Sequence, residues 1–290
     1  MDPKVSIIIP TLGRETLYPL IDNVLKQEVP FPFEIILIPQ VKLKEELLQD
    51  ERVRYFYEPL GKGFAYYRNR GIKESRGETL VFIDDDEMPM NYQWIRQITD
   101  PLVKGEEDVV TAGVTIKLGQ GYVTDSISLL GFPGGGAIGF KTMWHVDENN
   151  NTEHLCSGNF AISRKTLNEI NNFSNEYRHG KEDVHLADKL IGNKINIKYI
   201  EEATVYHIAR KGFENFIKWN MLRGKASKEY LAINKGGGKI MNRFASSGRI
   251  LKNVAKTRTR YLPGVCIMMF NQYLWEFIGT LKADQYTRKI

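Results

Sequence analysis

Residues 79–89 read Thr-Leu-Val-Phe-Ile-Asp-Asp-Asp-Glu-Met-Pro and hold the densest chemistry in the chain. Thr79–Ile83 has the apolar character of a short buried strand. Four acidic residues, Asp84–Glu87, follow it at once, then Pro89. A parallel strand that releases carboxylates at its C-terminal end puts them where open α/β sheets bind ligands. Carboxylates this crowded repel one another. They need a hard cation, or they protonate, or they point apart. A divalent metal held jointly by carboxylates and a phosphate is one use of such a cluster. An acidic turn capping a helix that begins near Asn91 is the other.

Further polar groups are scattered along the chain. Gly61-Lys-Gly63 opens a predicted helix, Phe64–Glu74, that carries Arg68, Asn69 and Arg70. It lacks the third glycine of a dinucleotide fingerprint and the Gly-Lys-Ser/Thr of a Walker loop. A glycine pair before a helix can still approach a phosphate. Cys156-Ser-Gly-Asn159 forms a small-residue corner, suited to an acceptor or to a tight turn. Glu182 and Asp183 stand at a predicted helix start, where capping and the helix dipole also favour acids. His207 follows a β-rich run, and imidazole is a common companion of carboxylates at metals.

The elements that must position these groups alternate. Strands are expected at Val5–Ile9, Phe33–Ile38, Val53–Tyr57, Thr79–Ile83, Val109–Thr115, Ile195–Ile200 and Ala203–Tyr206. Helices are expected at Glu15–Gln27, Lys42–Leu48, Phe64–Glu74 and Lys181–Ile191, with a short one from Ser163 or Arg164. Residues 119–152, rich in Gly and Asn, read as one long irregular loop. Strand–helix alternation predicts an α/β fold with a mostly parallel sheet and helices on both faces. Beyond Phe213 the chain reads as helix, so the expected division is 1–212 and 213–290.

The 290 residues suffice for one large α/β domain or two smaller ones. Two cysteines make no disulfide framework, which favours a reducing, cytosolic setting. The start, Met-Asp-Pro-Lys before Val5, does not read as a signal peptide. The net charge of +5 hides an asymmetry: Ala203–Ile290 carries 17 Lys/Arg against 4 Asp/Glu. Arg249, Lys252, Lys256, Arg258 and Arg260 come without an acid, beside an apolar but interrupted run, Leu262–Leu281. That pattern predicts a helix lying on an anionic membrane surface rather than a span. A partner-subunit interface is the competing reading. Nucleic acid is not expected, since no module interleaves aromatic and basic residues.

Taken in order, these stretches resemble the family 2 glycosyltransferases of the GT-A fold. Carrying the resemblance are Val-Ser-Ile-Ile-Ile-Pro-Thr at 5–11, Gly-x-Gly-x-x-x-x-Arg-Asn-x-Gly at 61–71 and Arg-Gly-Glu-x-x-x-Phe-x-Asp-Asp-Asp at 76–86. Gly158-Asn159, Ser163-Arg164, Gly-Lys-Glu-Asp at 180–183 and His207 complete it. The resemblance implies a Rossmann-type sheet and transfer of a sugar from a nucleoside-diphosphate sugar, with Mn²⁺ or Mg²⁺ as cofactor. It implies nucleotide contacts at Thr11, Arg14, Glu15, Arg68, Asn69, Asp84 and Asp85, and metal contacts at Asp86 and His207. Asp183 falls on the general base of an inverting displacement, with Gly158, Asn159 and Glu182 beside the acceptor. The basic tail adds the expectation of a glycan or lipid-linked acceptor and of a peripheral location at the cytoplasmic membrane face.

Two departures stand out. Pro39-Gln40 follows the second strand where an acidic residue is usual, which leaves the base open. The Gln-x-x-Arg-Trp signature of processive synthases is absent. A sugar-nucleotide pyrophosphorylase would need a glycine-rich loop after the first strand, and residues 10–20 hold a single glycine. A protein that binds sugar nucleotide without turnover is the other alternative.

Overall fold

A computed structural model describes residues 2–43, 49–209, 211–234 and 242–287, the side chains of 242–244 and 284–287 excepted. The strands are β1 Val5–Thr11, β2 Phe33–Pro39, β3 Val53–Tyr55, β4 Thr79–Ile83, β5 Glu87–Pro89 and β6 Val109–Thr111. They continue as β7 Val114–Thr115, β8 Asn151–Thr152, β9 Asn159–Ser163, β10 Ile197–Tyr199 and β11 Val205–His207. The helices are α1 Leu17–Leu25, α2 Phe64–Glu74, α3 Trp94–Val103, α4 Tyr122–Ser128 and α5 Phe140–Met143. After them come α6 Arg164–Glu169, α7 Glu182–Gly192, α8 Phe213–Ile233, α9 Asn242–Thr257 and α10 Leu262–Thr287.

The main sheet has the order β3-β2-β1-β4-β9-β6-β10-β8, and a small sheet has the order β5-β11-β7. β3, β2, β1 and β4 are mutually parallel. Alternation along these buried strands sends side chains to two cores. Ile7, Ile9, Val81 and Ile83 pack with Leu17, Leu20 and Val24 of α1 and Trp94, Ile95 and Ile98 of α3. Ile8, Leu80 and Phe82 pack on the opposite face with Ala65 and Ile72 of α2, Leu167 of α6 and Leu186 and Leu190 of α7. The expected sheet with helices on both faces is therefore present.

Some elements differ from expectation. β9 runs antiparallel between β4 and β6, so the sheet is mixed at its centre. A buried strand has the same apolar pattern in either direction. The run Val109–Thr115 breaks at Ala112-Gly113 into β6 and β7. Residues 119–152 are not one loop: α4, a 3₁₀ turn at Gly136–Ile138, α5 and β8 lie within them. The helix expected at Lys42–Leu48 lies largely outside the described residues.

The chain forms two compact units. The first comprises 1–114, 145–175 and 182–207; the second comprises 115–144, 176–181 and 208–290. The second unit has its own core, in which Ile127, Leu129, Leu130 and Met143 meet Phe216, Ile250, Val254, Val265, Met268 and Met269. Tyr261 donates to Asp125 at 2.7 Å and Arg249 to the Met143 carbonyl at 2.8 Å. Within the same unit Arg178 and His179 donate backbone N–H groups to Glu229. Residues 115–144 and 176–181, which a division after 212 would leave with the first part, thus pack inside the second unit.

Candidate active site

The acidic cluster at the end of β4 continues the strand's alternation. Asp84 follows Phe82 to the α2/α7 side, and Asp85 follows Ile83 to the α1 side. Their partners differ accordingly.

Asp85 is almost fully buried. One oxygen accepts from the Thr11 hydroxyl at 2.6 Å and from the Leu12 N–H at 3.1 Å. Its other oxygen pairs with Arg14. Thr16 donates to the Asp85 carbonyl at 2.6 Å, and the Gly13 N–H donates to the Thr11 hydroxyl at 2.9 Å. Asp85, Thr11 and Arg14, each expected at the nucleotide, thus tie the loop 11–16 to the end of β4. Arg14 also reaches Asp86 at 3.1 Å and stays half exposed, whereas Glu15 points outward.

On the other side Arg68 is buried to 3% exposure among carboxylates. It meets Glu182 at 2.5 Å and Asp84 at 3.2 Å, and donates to the Ser157 carbonyl at 3.4 Å. A buried guanidinium is stable only when paired in this way. Burial pushes the Glu182 carboxyl up to about 7; Arg68 opposes the shift and Asp183 adds to it. Burial also raises Asp84, again against Arg68, with Asp86 and Asp85 adding to the rise. The second oxygen of Glu182 is buried without a hydrogen-bond partner among the described residues. Asp183 accepts from the Val184 N–H at 2.8 Å, at the start of α7. The turn into that helix is tight, with Gly180 at φ +122° and Lys181 at φ +74°.

Asp86 and His207 are brought together from residues 121 positions apart, at 3.4 Å between Oδ1 and Nε2. The cause is the antiparallel pairing of β5 with β11, which sets His207 opposite Glu87. His207 is buried, and its Nδ1 has no hydrogen-bond partner among the described residues. No group of three His, Cys, Asp or Glu suited to a metal occurs among the described residues. Two protein ligands still fit a divalent ion completed by substrate phosphates and water, the usual arrangement for Mg²⁺ at phosphates.

Asn69 and Asn159 are employed elsewhere. Asn69 clamps the segment after α6, donating to the Phe173 carbonyl at 2.8 Å and accepting from the Phe173 N–H at 3.2 Å. Asn159 is fully buried; its amide donates to the carbonyls of Gly113 and Ala203 and accepts from the Trp94 indole. That side chain joins β9, β6–β7 and the approach to β11 and has no surface to offer an acceptor.

Glu87 has no role assigned from sequence and lies buried beside the acidic cluster. It is 2% exposed, and burial with Asp84 and Asp86 nearby drives its carboxyl well above the usual range. A methyl group on Gly158 would sit 2.5 Å and 2.6 Å from its two oxygens, so glycine there makes room for the acid. The sequence signal was the fourth member of the run 84–87.

The model of the family described as "Glycosyl transferase family 2" matches residues 6–170. Chondroitin synthase of Pasteurella multocida is 24% identical over 247 residues, 73% of this chain and 25% of that protein. An uncharacterized glycosyltransferase of Rickettsia bellii is 36% identical over 94 residues, 30% of this chain and 13% of that protein. The chain thus spans a quarter or less of the length of these two relatives. Among solved structures, a mannosyltransferase from Pyrobaculum calidifontis in complex with GDP-Man and Mn²⁺ superposes with a TM-score of 0.61 at 15% identity. That match covers 98% of this chain and 87% of the other. S. aureus TarS residues 1–349 in complex with UDP-GlcNAc gives 0.55 at 15% identity, covering 94% of this chain and 81% of that one.

Proposed function

The chain belongs to glycosyl transferase family 2, and on that premise we propose that it moves a sugar from a nucleoside-diphosphate sugar to an acceptor hydroxyl by one inverting displacement. The observation that supports this reading is the cluster beyond the C-terminal end of β4, where Arg68 pairs with Asp84 and with Glu182 of α7, next to Asp183, and Asp86 meets His207; the family model itself matches residues 6–170. Solved relatives of the same fold bind GDP-Man with Mn²⁺ and UDP-GlcNAc, which supports a nucleotide-sugar donor.

In this reading the loop 11–16, held by Asp85, forms one wall of the nucleotide site, with Arg14 at its mouth. Asp84 and Arg68 lie beside the ribose and phosphates. Asp86 and His207 would hold a divalent ion together with the diphosphate. Bound there, the ion would stabilise the leaving diphosphate as a Lewis acid. Asp183 takes the acceptor proton as the hydroxyl attacks the anomeric carbon. The sugar–phosphate bond breaks as the new glycosidic bond forms, so the anomeric centre inverts without a covalent sugar–enzyme intermediate. Arg68 and Glu182 set the position of Asp84 and the entry to α7. The acceptor is a glycan or lipid-linked hydroxyl presented at the cytoplasmic face of a membrane.

The test is a thermal-shift screen of nucleoside diphosphates and their sugars, with and without Mn²⁺, followed by turnover assays. A ligand that binds only the native state raises its apparent stability by mass action. Stabilisation by a nucleotide sugar that depends on the cation, and is lost in Asp86→Ala, is the expected result. Full turnover in excess chelator would overturn the metal assignment.

A further inference from the structure

α10 is apolar on two sides. Val265, Met268, Met269 and Gly279 face its own unit's core or the neighbouring helix. Ile267, Phe270, Leu274, Phe277 and Leu281 do not: they are between 38% and 67% exposed. Their spacing of three, four, three and four residues lines them up along one face of the helix. Five large exposed apolar side chains in register are unusual for a soluble helix, and such a continuous patch marks a docking surface.

Charge decides what docks. From Arg249 through Trp275 the chain holds five basic residues and no acid. Lys252, Lys256 and Arg260 are exposed, and Arg258 is partly so, all just before the stripe begins. Two α10 stripes packed parallel against each other would bring the basic cluster of one copy against that of the other, like charge to like charge. An anionic bilayer satisfies both parts, because apolar side chains enter the acyl boundary while the basic residues meet the headgroups. Among the described residues no helix is long and apolar enough to cross a membrane, so α10 would lie along the surface.

We propose that the Ile267–Leu281 stripe of α10, with the Lys252–Arg260 cluster at its N-terminal end, is the surface by which this protein docks on anionic membranes. The inference rests on the membrane-presented acceptor suggested above and names the docking face. Vesicle flotation of the full chain tests it, using neutral phosphatidylcholine vesicles and vesicles containing phosphatidylserine. Strong recovery with the anionic vesicles alone is expected, falling with added salt. Each charge reversal at Lys252 or Lys256 should lower partitioning by at least about fivefold, equivalent to about 1 kcal/mol per lost basic residue. Phe270→Glu with Phe277→Glu should abolish recovery while circular dichroism and nucleotide-sugar binding stay unchanged.

Three outcomes would overturn the proposal. They are no recovery with either vesicle, equal recovery with both, and a sedimenting dimer that the Phe270/Phe277 variant dissolves. Donor binding and turnover on a water-soluble acceptor, measured without vesicles, report on the transferase reading independently.

Discussion

At the scale of single residues, Asp183 stands where a helix cap and a proton acceptor would both stand. The two roles make different demands. The Val184 N–H needs only an oxygen to accept it, and Asn supplies one. A general base needs an oxygen that can be protonated, which Asn lacks. Asp183→Asn should therefore keep its melting temperature and donor affinity while turnover falls roughly a hundredfold to ten-thousandfold. Wild-type turnover in that variant, with a loss in Glu182→Gln, would move the base by one residue. Glu182 makes a second prediction. Its carboxyl is raised to about 7 in the folded protein from an ordinary 4.5. Between those values the folded state holds a proton that the unfolded state has lost, so stability falls as pH rises through the window. Below it the contribution is fully present. Glu182→Gln should flatten that fall in denaturant melts across the window. The flattening will be partial, because Asp84 and Glu87 are raised too and pull in the same direction. The position of the carboxylates 84–87 at a strand end was legible from their spacing. The employment of Asn69 and Asn159 was not: each bonds to partners at least 44 positions away, which no local pattern records.

At the scale of elements, α8 and α10 pack without side chains between them at two points. A methyl group on Gly224 would collide with the Glu276 backbone, and one on Gly279 with the Met221 backbone. Thr280 adds a hydrogen bond to the Gly224 carbonyl at 3.2 Å. Backbone cannot swing aside as a side-chain tip can, so enlargement must part the helices. Gly224→Val or Gly279→Val should lower stability by about 1–3 kcal/mol in urea unfolding. Gly248→Ala, with open space at its Cβ, should leave it unchanged or slightly raised. α2 and β4 match their expected bounds because period and turn signals agree there. Within 119–152, α4 and α5 contain no glycine, but they span only seven and four residues, each after a glycine that marks a turn, too short to show a helical period.

At the scale of the whole molecule, the second unit draws on three separate stretches of chain. A protein ending at 212 would keep Ile127, Leu129, Leu130 and Met143 but lose Ile250, Val254, Val265 and Met268, which cover them. It would also strip Asp125 of Tyr261. We expect that truncation to bind a hydrophobic dye and aggregate, whereas a removable tail would leave a soluble, donor-binding remainder. Composition shows the basic end of the chain but not this interleaving, because contacts across more than a hundred residues leave no mark in local patterning.

The same interleaving has a consequence in time. A ribosome adding roughly 5–20 residues each second needs roughly 6–25 s to travel from Met143 to Met269. Ile127, Leu129 and Leu130 are synthesised before that interval begins, but the set of helices that covers them is complete only at its end, when Val265, Met268 and Met269 of α10 have been made. Nascent chains of this protein should therefore dwell on a holding chaperone until α10 emerges. Ribosome-bound intermediates stalled after residue 207 should be more sensitive to protease within 115–144 than those stalled after the last helix.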